Sequence, residues 1–464
     1  MVSAERRDSL ETWRLVILGD NGAKTLVTCE QAEFRLPQVQ IPARQRIAEN
    51  INRVVELEFG LRILSLDEIV LPDPGFTGHA LYHAAVSIEP DQTPRGGTDW
   101  VFTRSLAATL SRGADFAAVE ALLSKLEATG GHGATQPFLK LDWFTKTKKW
   151  IERRLRPHSL HLTGQFRQLN ASSTFSLIRF ETNRRAVWFK AVGEPNVREC
   201  AVTLTLAGMC PDHLPSILAS KRTWNAWLSL QATGESLASN ADLDRWKTAA
   251  SSLANLQIGA MSGSEKLLKA GAHDLRTPRL LSLVEPFFEF ARDATGRSPL
   301  QSSSNLTLLE LSDVKEVVRA VLDELTSFHL TDTVGLMDLN PGNIFCTRDH
   351  AIFLDWAEGF VGNPILSFEY LVQHFRRTVA RGPSTEEQFR NAYLEQWREH
   401  VPPNELRRIV SLSPLAALFG YAATVWSTGQ TSPAWTARWE RYLLQLVRKM
   451  KNDAPKGVLQ GVRP

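Results

Sequence analysis

Residues 335–364, GLMDLNPGNIFCTRDHAIFLDWAEGFVGNP, decide how the rest of the chain is read. Within them Asp338 and Asn343 flank a Pro-Gly turn, and the apolar run Ala351-Ile352-Phe353-Leu354 delivers Asp355. A carboxylate, a carboxamide and a second carboxylate in this order suit phosphoryl transfer: the first orients an attacking hydroxyl, and the other two hold Mg²⁺ against phosphate oxygens. The same spacing also fits an ordinary Asx-rich loop on a Pro-Gly turn. The choice depends on what else the chain supplies.

Composition bounds that choice. At 464 residues the chain exceeds one ordinary core and should form two or three domains. Its 53 Lys and Arg nearly balance 50 Asp and Glu, for a net charge of +3, and no long basic block occurs. Neither nucleic acid nor a membrane surface is suggested as a partner. Cys29, Cys200, Cys210 and Cys346 show no CxxC spacing, which argues for reduced thiols and against a zinc ribbon. The start, MVSAERRDSLETW, lacks an apolar core, and no run approaches the ~20 apolar residues of a membrane span. A cytoplasmic location is expected.

Upstream, Phe166-Arg-Gln-Leu, Thr174-Phe-Ser-Leu-Ile-Arg-Phe and Arg185-Ala-Val-Trp-Phe-Lys alternate as antiparallel strands. Lys190 ends the third, and a helix with Pro195 near its first turn follows. Together with Asp338-Leu339, Pro341-Gly342-Asn343 and Asp355-Trp356, this order resembles the aminoglycoside phosphotransferase and choline kinase family, whose segment typically reads HGDLHPGN followed by a strand ending in IDW. Leu336 and Met337 stand where that family has histidine and usually glycine. The resemblance covers residues 166 to about 442. It implies a two-lobed, protein-kinase-like α+β fold in which Lys190 meets ATP phosphates and pairs with Glu199, Glu194 being the runner-up. Helical spin leaves open whether Glu199 faces water. By the same resemblance Ser172 and Ser173 lie over the phosphates, and backbone near Leu230 to Ala232 meets adenine. Asp338 is then the catalytic base, and Asn343 and Asp355 are the Mg²⁺ ligands. Gln257 replaces a family histidine, and Ser367 and Glu369 are the polar residues nearest a missing structural aspartate. The aromatics Tyr370, Phe375, Tyr393, Trp397, Tyr421, Trp426, Trp435, Trp439 and Tyr442 read as helical core, in a region that borders the acceptor pocket in the family.

The first 135 residues read differently. Two β-rich runs flank Asp20-Asn21-Gly22, a hairpin signal. A helix is expected to open at Pro42, with Ile47, Ile51, Val54 and Val55 on one face and Gly60 as its left-handed cap. Strands at 61–69 and 79–89 and a helix at 116–128 follow. This order, with Arg53, Val55 and Glu58 on box positions, resembles a Nudix hydrolase module, whose box has the form GX5EX7REUXEEXGU. Val39, Gln45, Val54 and Leu57 replace its glycine and most of its acids, so the resemblance implies a catalytically dead module. The bland alternative is an amphipathic helix in some other α+β domain.

The expected organisation is therefore a degenerate Nudix-like domain (1–135), a linker helix (136–160) with a solvated basic face, a kinase-like N-lobe (161–235) and a helical C-lobe (236–464). The expected activity is an ATP- and Mg²⁺-dependent phosphotransferase, or small-molecule kinase, acting on a hydroxyl- or amine-bearing molecule. The rival is an inactive nucleotide-binding pseudokinase scaffold.

Overall fold

The computed structural model describes residues 10–30, 33–43, 45–72, 79–89, 92–110, 113–128, 138–172, 175–297, 306–379, 382–429 and 437–453. Ser173, Trp435, the Gly-rich break at 130–134 and the surface loop at 302–305 lie outside them. The chain divides into two compact units, 1–200 with 216–231 and 201–215 with 232–464.

The first unit opens with β1 (Leu10–Gly19) and β2 (Lys24–Glu30), joined where Asn21 and Gly22 take φ of 50° and 88°, as the Asn-Gly signal requires. With β3 (Glu33–Arg35), β4 (Gln38–Pro42), β5 (Ile63–Pro72), β6 (His79–Ser87) and β7 (Thr98–Phe102) they form a seven-stranded sheet in which β1 runs parallel to β6. The helix expected at Pro42 is α1 (Ile47–Phe59) and starts five residues later. Val39 and Ile41 alternate into the core as strand residues paired with β1, so the chain cannot turn helical before it leaves that ladder. Gly60, at φ 69°, returns its N–H to the Glu56 carbonyl and caps α1 as expected.

Period-2 alternation gives this sheet two cores. Trp13, Leu15 and Ile17 pack with Ile51, Val55 and Phe59 of α1 on one face. Val16 and Leu18 face the other, where α2 (Leu106–Thr109), α3 (Gly113–Ala128) and α4 (Trp143–Leu155) follow in sequence. That second core does not end with the module. It continues through Trp143, Trp150 and Ile151 to Ile178, Phe180, Val187 and Phe189 of a second, antiparallel sheet, ordered β11-β12-β10-β9-β8. Its strands are β8 (Leu162–Ala171), β9 (Phe175–Thr182), β10 (Val187–Val192), β11 (Ile217–Lys221) and β12 (Ala226–Leu230). The expected linker helix α4 is thus core. Its apolar stripe is buried in the core shared with residues of both sheets, while Lys146, Lys149, Arg153 and Arg154 remain exposed as expected.

Helix α5 (Glu199–Met209) also starts later than expected: Pro195 precedes it, in a turn where Asn196 N–H meets the Gly193 carbonyl. The second unit holds α6 (Leu243–Ala260), α7 (Ser264–Ala270), α8 (Thr277–Arg297), α9 (Leu308–Thr326), α10 (Pro364–Thr378), α11 (Pro383–Leu394), α12 (Pro403–Gly429) and α13 (Ala437–Asp453). Two three-stranded sheets accompany them: β13 (Glu235–Ser236), β16 (Ile344–Cys346) and β17 (Ala351–Phe353) in one, β14 (His273–Leu275), β15 (Thr333–Leu336) and β18 (Gly359–Gly362) in the other. Phe375, Tyr393, Trp397 and Trp426 are core, as the aromatic stripe suggested, whereas Trp439 is exposed. Contrary to the sequence expectation, α12 is long and apolar enough to cross a membrane by length and composition; 67% of that stretch is buried inside the protein. Cys29 is exposed and the other three thiols are buried, all unpaired.

Because Trp150 contacts Phe189 and Trp224 at ring separations of 6.0 and 6.1 Å and is 4% exposed, its loss should be felt throughout the first unit. Trp150→Ala should destabilise it by about 3–5 kcal/mol in denaturant unfolding of the full chain. A loss under about 1 kcal/mol would show that α4 is only a linker helix outside the core.

Candidate active site

Two groups of polar side chains, one in each unit, carry the predicted chemistry. In the first unit, β10 alternates Phe189 inward and Lys190 outward; the Phe189 ring sits 5.8 Å from Trp143, so the α4 aromatics fix the strand that presents the lysine. Lys190 Nζ donates to Glu199 Oε1 at 2.6 Å and lies 5.8 Å from the ring centres of Phe175 and Trp227. Glu199 is 1% exposed and Lys190 13%, while Glu194 is exposed, so the structure decides between the two acids for Glu199. A pair this buried adds little net stability, since desolvation offsets most of the Coulomb attraction, yet losing either partner would strand a charge. Such a pair fits a charge kept in place for a ligand.

Ser172 follows β8, its N–H bonded to the Phe175 carbonyl at 3.0 Å. The expected adenine-facing backbone is partly committed elsewhere: the Leu230 N–H goes to the Ser216 carbonyl at 2.9 Å and the Gln231 N–H to Ala186 at 3.0 Å. The Ala232 amide is in neither bond.

In the second unit the quoted stretch folds as β15, a loop, a hairpin and β18. Asn340 accepts from the Gly342 N–H through its side chain at 2.9 Å and from the Asn343 N–H through its carbonyl at 2.8 Å, which makes the Pro-Gly turn rigid. The β16–β17 register pairs Ile344 with Phe353, and the next bond runs from Leu354 N–H to the Asn343 carbonyl at 2.9 Å. Asp355 therefore follows directly beyond Asn343 across the hairpin. Asp355 itself holds φ 64°, ψ 74°, a left-handed conformation that costs a non-glycine residue on the order of 1 kcal/mol and recurs where side-chain aim matters. Asp338 lies after β15, with its carboxylate accepting from the Asn340 N–H.

Of Ser367 and Glu369, the two polar candidates the sequence offered after β18, Ser367 braces the loop backbone. Leu336 is buried, and its backbone is clasped by one hydroxyl: Ser367 Oγ accepts from Leu336 N–H at 2.9 Å and donates to the Leu336 carbonyl at 3.0 Å. Glu369, the other candidate, is occupied by Arg390 at 2.8 Å and Ser413 at 3.1 Å. Gln257 is fully buried, giving its amide to the Pro364 carbonyl and accepting from Tyr393.

Sequence reading missed two residues here. Glu358 sits across the strand pair, its carbonyl receiving the Met337 N–H at 3.3 Å, beside the Asp338 position. The other, His374 on α10, carries no motif and was invisible; burial and Arg377 hold its imidazole below the usual range, partly opposed by the Asp338 carboxylate. Burial pushes the Asp338 carboxyl up, with Asp355 adding repulsion, and burial pushes Glu358 up with Asp338 and Asp355 behind it. Tyr421, whose hydroxyl accepts from Tyr442 at 3.3 Å, is raised first by burial, then by Tyr442, with Glu358 and Asp338 adding to it.

Among the described residues no three His, Cys, Asp or Glu converge to hold a metal unaided. The donors present, Asn343 and Asp355 beside two further carboxylates, are all hard oxygens. That chemistry fits Mg²⁺, which takes one or two protein oxygens and completes its shell with phosphate and water.

No protein-family model matches the chain, and no curated protein matches it significantly. Solved structures do align. A Brachybacterium faecium macrolide 2′-phosphotransferase matches with TM-score 0.44 and 16% identity over 65% of this chain and 98% of its own. A Plasmodium vivax ethanolamine kinase matches with TM-score 0.47 and 14% identity over 72% and 96%. A choline/ethanolamine kinase family protein from Mesorhizobium loti matches with TM-score 0.43 and 12% identity over 68% and 99%. The functional reading rests on this chain's own side chains.

The acid cluster has a pH signature. Glu358 binds its proton more tightly folded than unfolded, so its stabilising contribution is complete below the unfolded value near 4.3 and is lost as pH rises through the folded value. Glu358→Gln should therefore raise the unfolding midpoint at pH 7 and leave it unchanged near pH 4. A midpoint lowered at pH 7 would mean that Glu358 is paired rather than repelled.

Proposed function

We propose that this protein is an ATP-dependent phosphotransferase acting on a small hydroxyl- or amine-bearing molecule. The observation that carries the reading is the hairpin register that sets Asn343 beside Asp355, one loop away from Asp338, among carboxylates that repel one another. A purely structural loop has no use for that repulsion. The buried Lys190–Glu199 pair in the first unit adds the cation such chemistry needs.

In this reading Lys190, steadied by Glu199, positions the α- and β-phosphates, with Ser172 and Ser173 contributing along the phosphate loop and the Ala232 backbone toward adenine. Asn343 and Asp355 would hold Mg²⁺, which supplies neutralisation of the phosphate charge when bound. Asp338 orients the acceptor hydroxyl. As the bond from acceptor oxygen to the γ-phosphorus forms and the bond to ADP breaks, Asp338 receives the acceptor proton. Its carboxyl, raised by burial and by Asp355, is a better base than an ordinary surface aspartate. The negative field of Glu358 and Asp338 favours an acceptor that carries an amine.

The N-terminal module is proposed to be Nudix-like and inactive. The parallel pairing of β1 with β6 and the capped helix α1 support the likeness, and a lone, exposed Glu58 in place of several acids supports the loss of hydrolysis. One observation favours the pseudokinase reading: Leu336 is packed in the core and brings no polar side chain to the loop. Ser367 answers it by bracing the same backbone.

Asp338→Asn separates the two. With the acceptor found by an ATP-consumption screen over aminoglycosides, amino alcohols, sugars and nucleosides, ATP affinity should stay near wild type. Turnover should fall on the order of 10²- to 10⁴-fold. Undiminished turnover in Asp338→Asn would overturn the mechanism, and no Mg²⁺-dependent turnover with any acceptor would favour the scaffold.

A further inference from the structure

The mechanism leaves unused a buried polar cluster in the first unit where its two sheets meet. Both β5 and β8 stand at the edge of their sheets, a position that leaves backbone N–H and C=O groups without ladder partners. Each also carries a bulge, β5 between Ser65 and Asp67 and β8 between Gln168 and Asn170. The two irregular points face one another. Gln168, 2% exposed, accepts from the Ser65 N–H at 2.8 Å and donates its amide to the Ser65 carbonyl at 2.9 Å, so one side chain pairs with β5 as a neighbouring strand would.

The remaining polar atoms of this cluster come from the N-terminal module. Asn52 of α1 donates to Gln168 Oε1 at 3.1 Å and accepts from Ser65 Oγ at 2.7 Å, and His83 Nε2 meets that same Oγ at 2.7 Å. His83 is fully buried and its imidazole is pushed down to about 3, so it is neutral at any physiological pH and serves as a fixed dipole. Arg167 pairs with Glu49, and Arg62 donates to the Gly164 carbonyl at 3.2 Å while lying 5.1 Å from the Phe166 ring centre. Thus Gly164, Phe166, Arg167 and Gln168, along one strand, are all held by the module.

Strand β8 runs straight from Gln168 into Asn170, Ala171 and Ser172. The bulge shifts the register after Gln168, and the ladder with β9 resumes one step out of phase, Asn170 opposite Leu177, Ala171 opposite Ser176 and the Ser172 N–H on the Phe175 carbonyl; where residues 170–172 fall therefore depends on how the bulge is held as well as on β9. We propose that Gln168 is a positioning residue, through which the N-terminal module sets residues 170–172 for the phosphates of a nucleoside triphosphate. The module is retained without its own chemistry because the phosphate loop is built against it. This rests on the nucleotide reading given above. By thermodynamic reciprocity, phosphate binding at 170–172 tightens the packing of the module on β8.

Calorimetric titration of the full-length chain with ATP and, separately, with adenosine tests this, beside hydrogen exchange of the amides at 169–172 without ligand. Gln168→Ala should weaken ATP by about 10-fold, the worth of one or two buried hydrogen bonds, leave adenosine within twofold, and speed exchange at 169–172. Asn52→Ala, on the module side, should move all three readings in the same direction by less, and serves alone if Gln168→Ala does not fold. Equal weakening of ATP and adenosine, or unchanged exchange, would overturn the proposal by making the cluster merely structural. If the wild-type chain binds no ATP, the phosphotransferase reading fails and this inference with it. An ATP-binding wild type with indifferent variants sinks the inference alone.

Discussion

Like charges held together against their repulsion are the constraint on which the second unit turns. Asp338, Asp355 and Glu358 follow one another around the β15–β18 pair, and the carboxyls of the first and third are raised, first by burial and then by the neighbouring acids. The mutual repulsion within such a cluster works against the fold. The backbone around it therefore has to be over-determined: Ser367 clasps Leu336, the Asn340 turn fixes Asn343, the Leu354 N–H closes the hairpin, and Asp355 is kept in a left-handed conformation. Structure of this kind, costly locally and secured by the surrounding backbone, is what the proposed site would require.

The first unit solves a complementary problem, that of keeping a cation buried and aimed. Glu199 supplies the counter-charge, and the rings of Phe175 and Trp227 face the ammonium. Strand β10 is backed by α4, whose Trp143 and Trp150 belong to a core continuous with the N-terminal sheet. The strand that carries Lys190 and the N-terminal sheet thus share one hydrophobic core.

Much of this was legible in the residues. The Asn21-Gly22 turn, the Gly60 cap and the order of Asp338, Asn343 and Asp355 are local signals, each read from types and spacing within a short window, whereas the pairing of Lys190 with a helix acid was implied by the family resemblance. What escaped was non-local. Val39 and Ile41 look like the approach to a helix until β1 claims them as a strand. The apolar stripe of α4 after a Gly-rich break suggested an amphipathic linker helix, and sequence does not show the shared core into which that stripe is buried. Ser367 was one of two candidates, and only the fold separates the hydroxyl that clasps Leu336 from Glu369, which is consumed by Arg390. Gln168 and His374 carry no motif at all: their roles come from β5 and from Asp338, far away in the chain.

The central claim is that the oxygen donors on the β16–β17 hairpin serve a magnesium-bound nucleotide. Titrating ATP into the wild-type chain and into Asp355→Ala, each with and without Mg²⁺ and with Glu58→Ala as a control, tests it most directly. The account predicts tight binding only for wild type and Glu58→Ala, and only with Mg²⁺. Equal binding by Asp355→Ala in the presence of Mg²⁺ would contradict it.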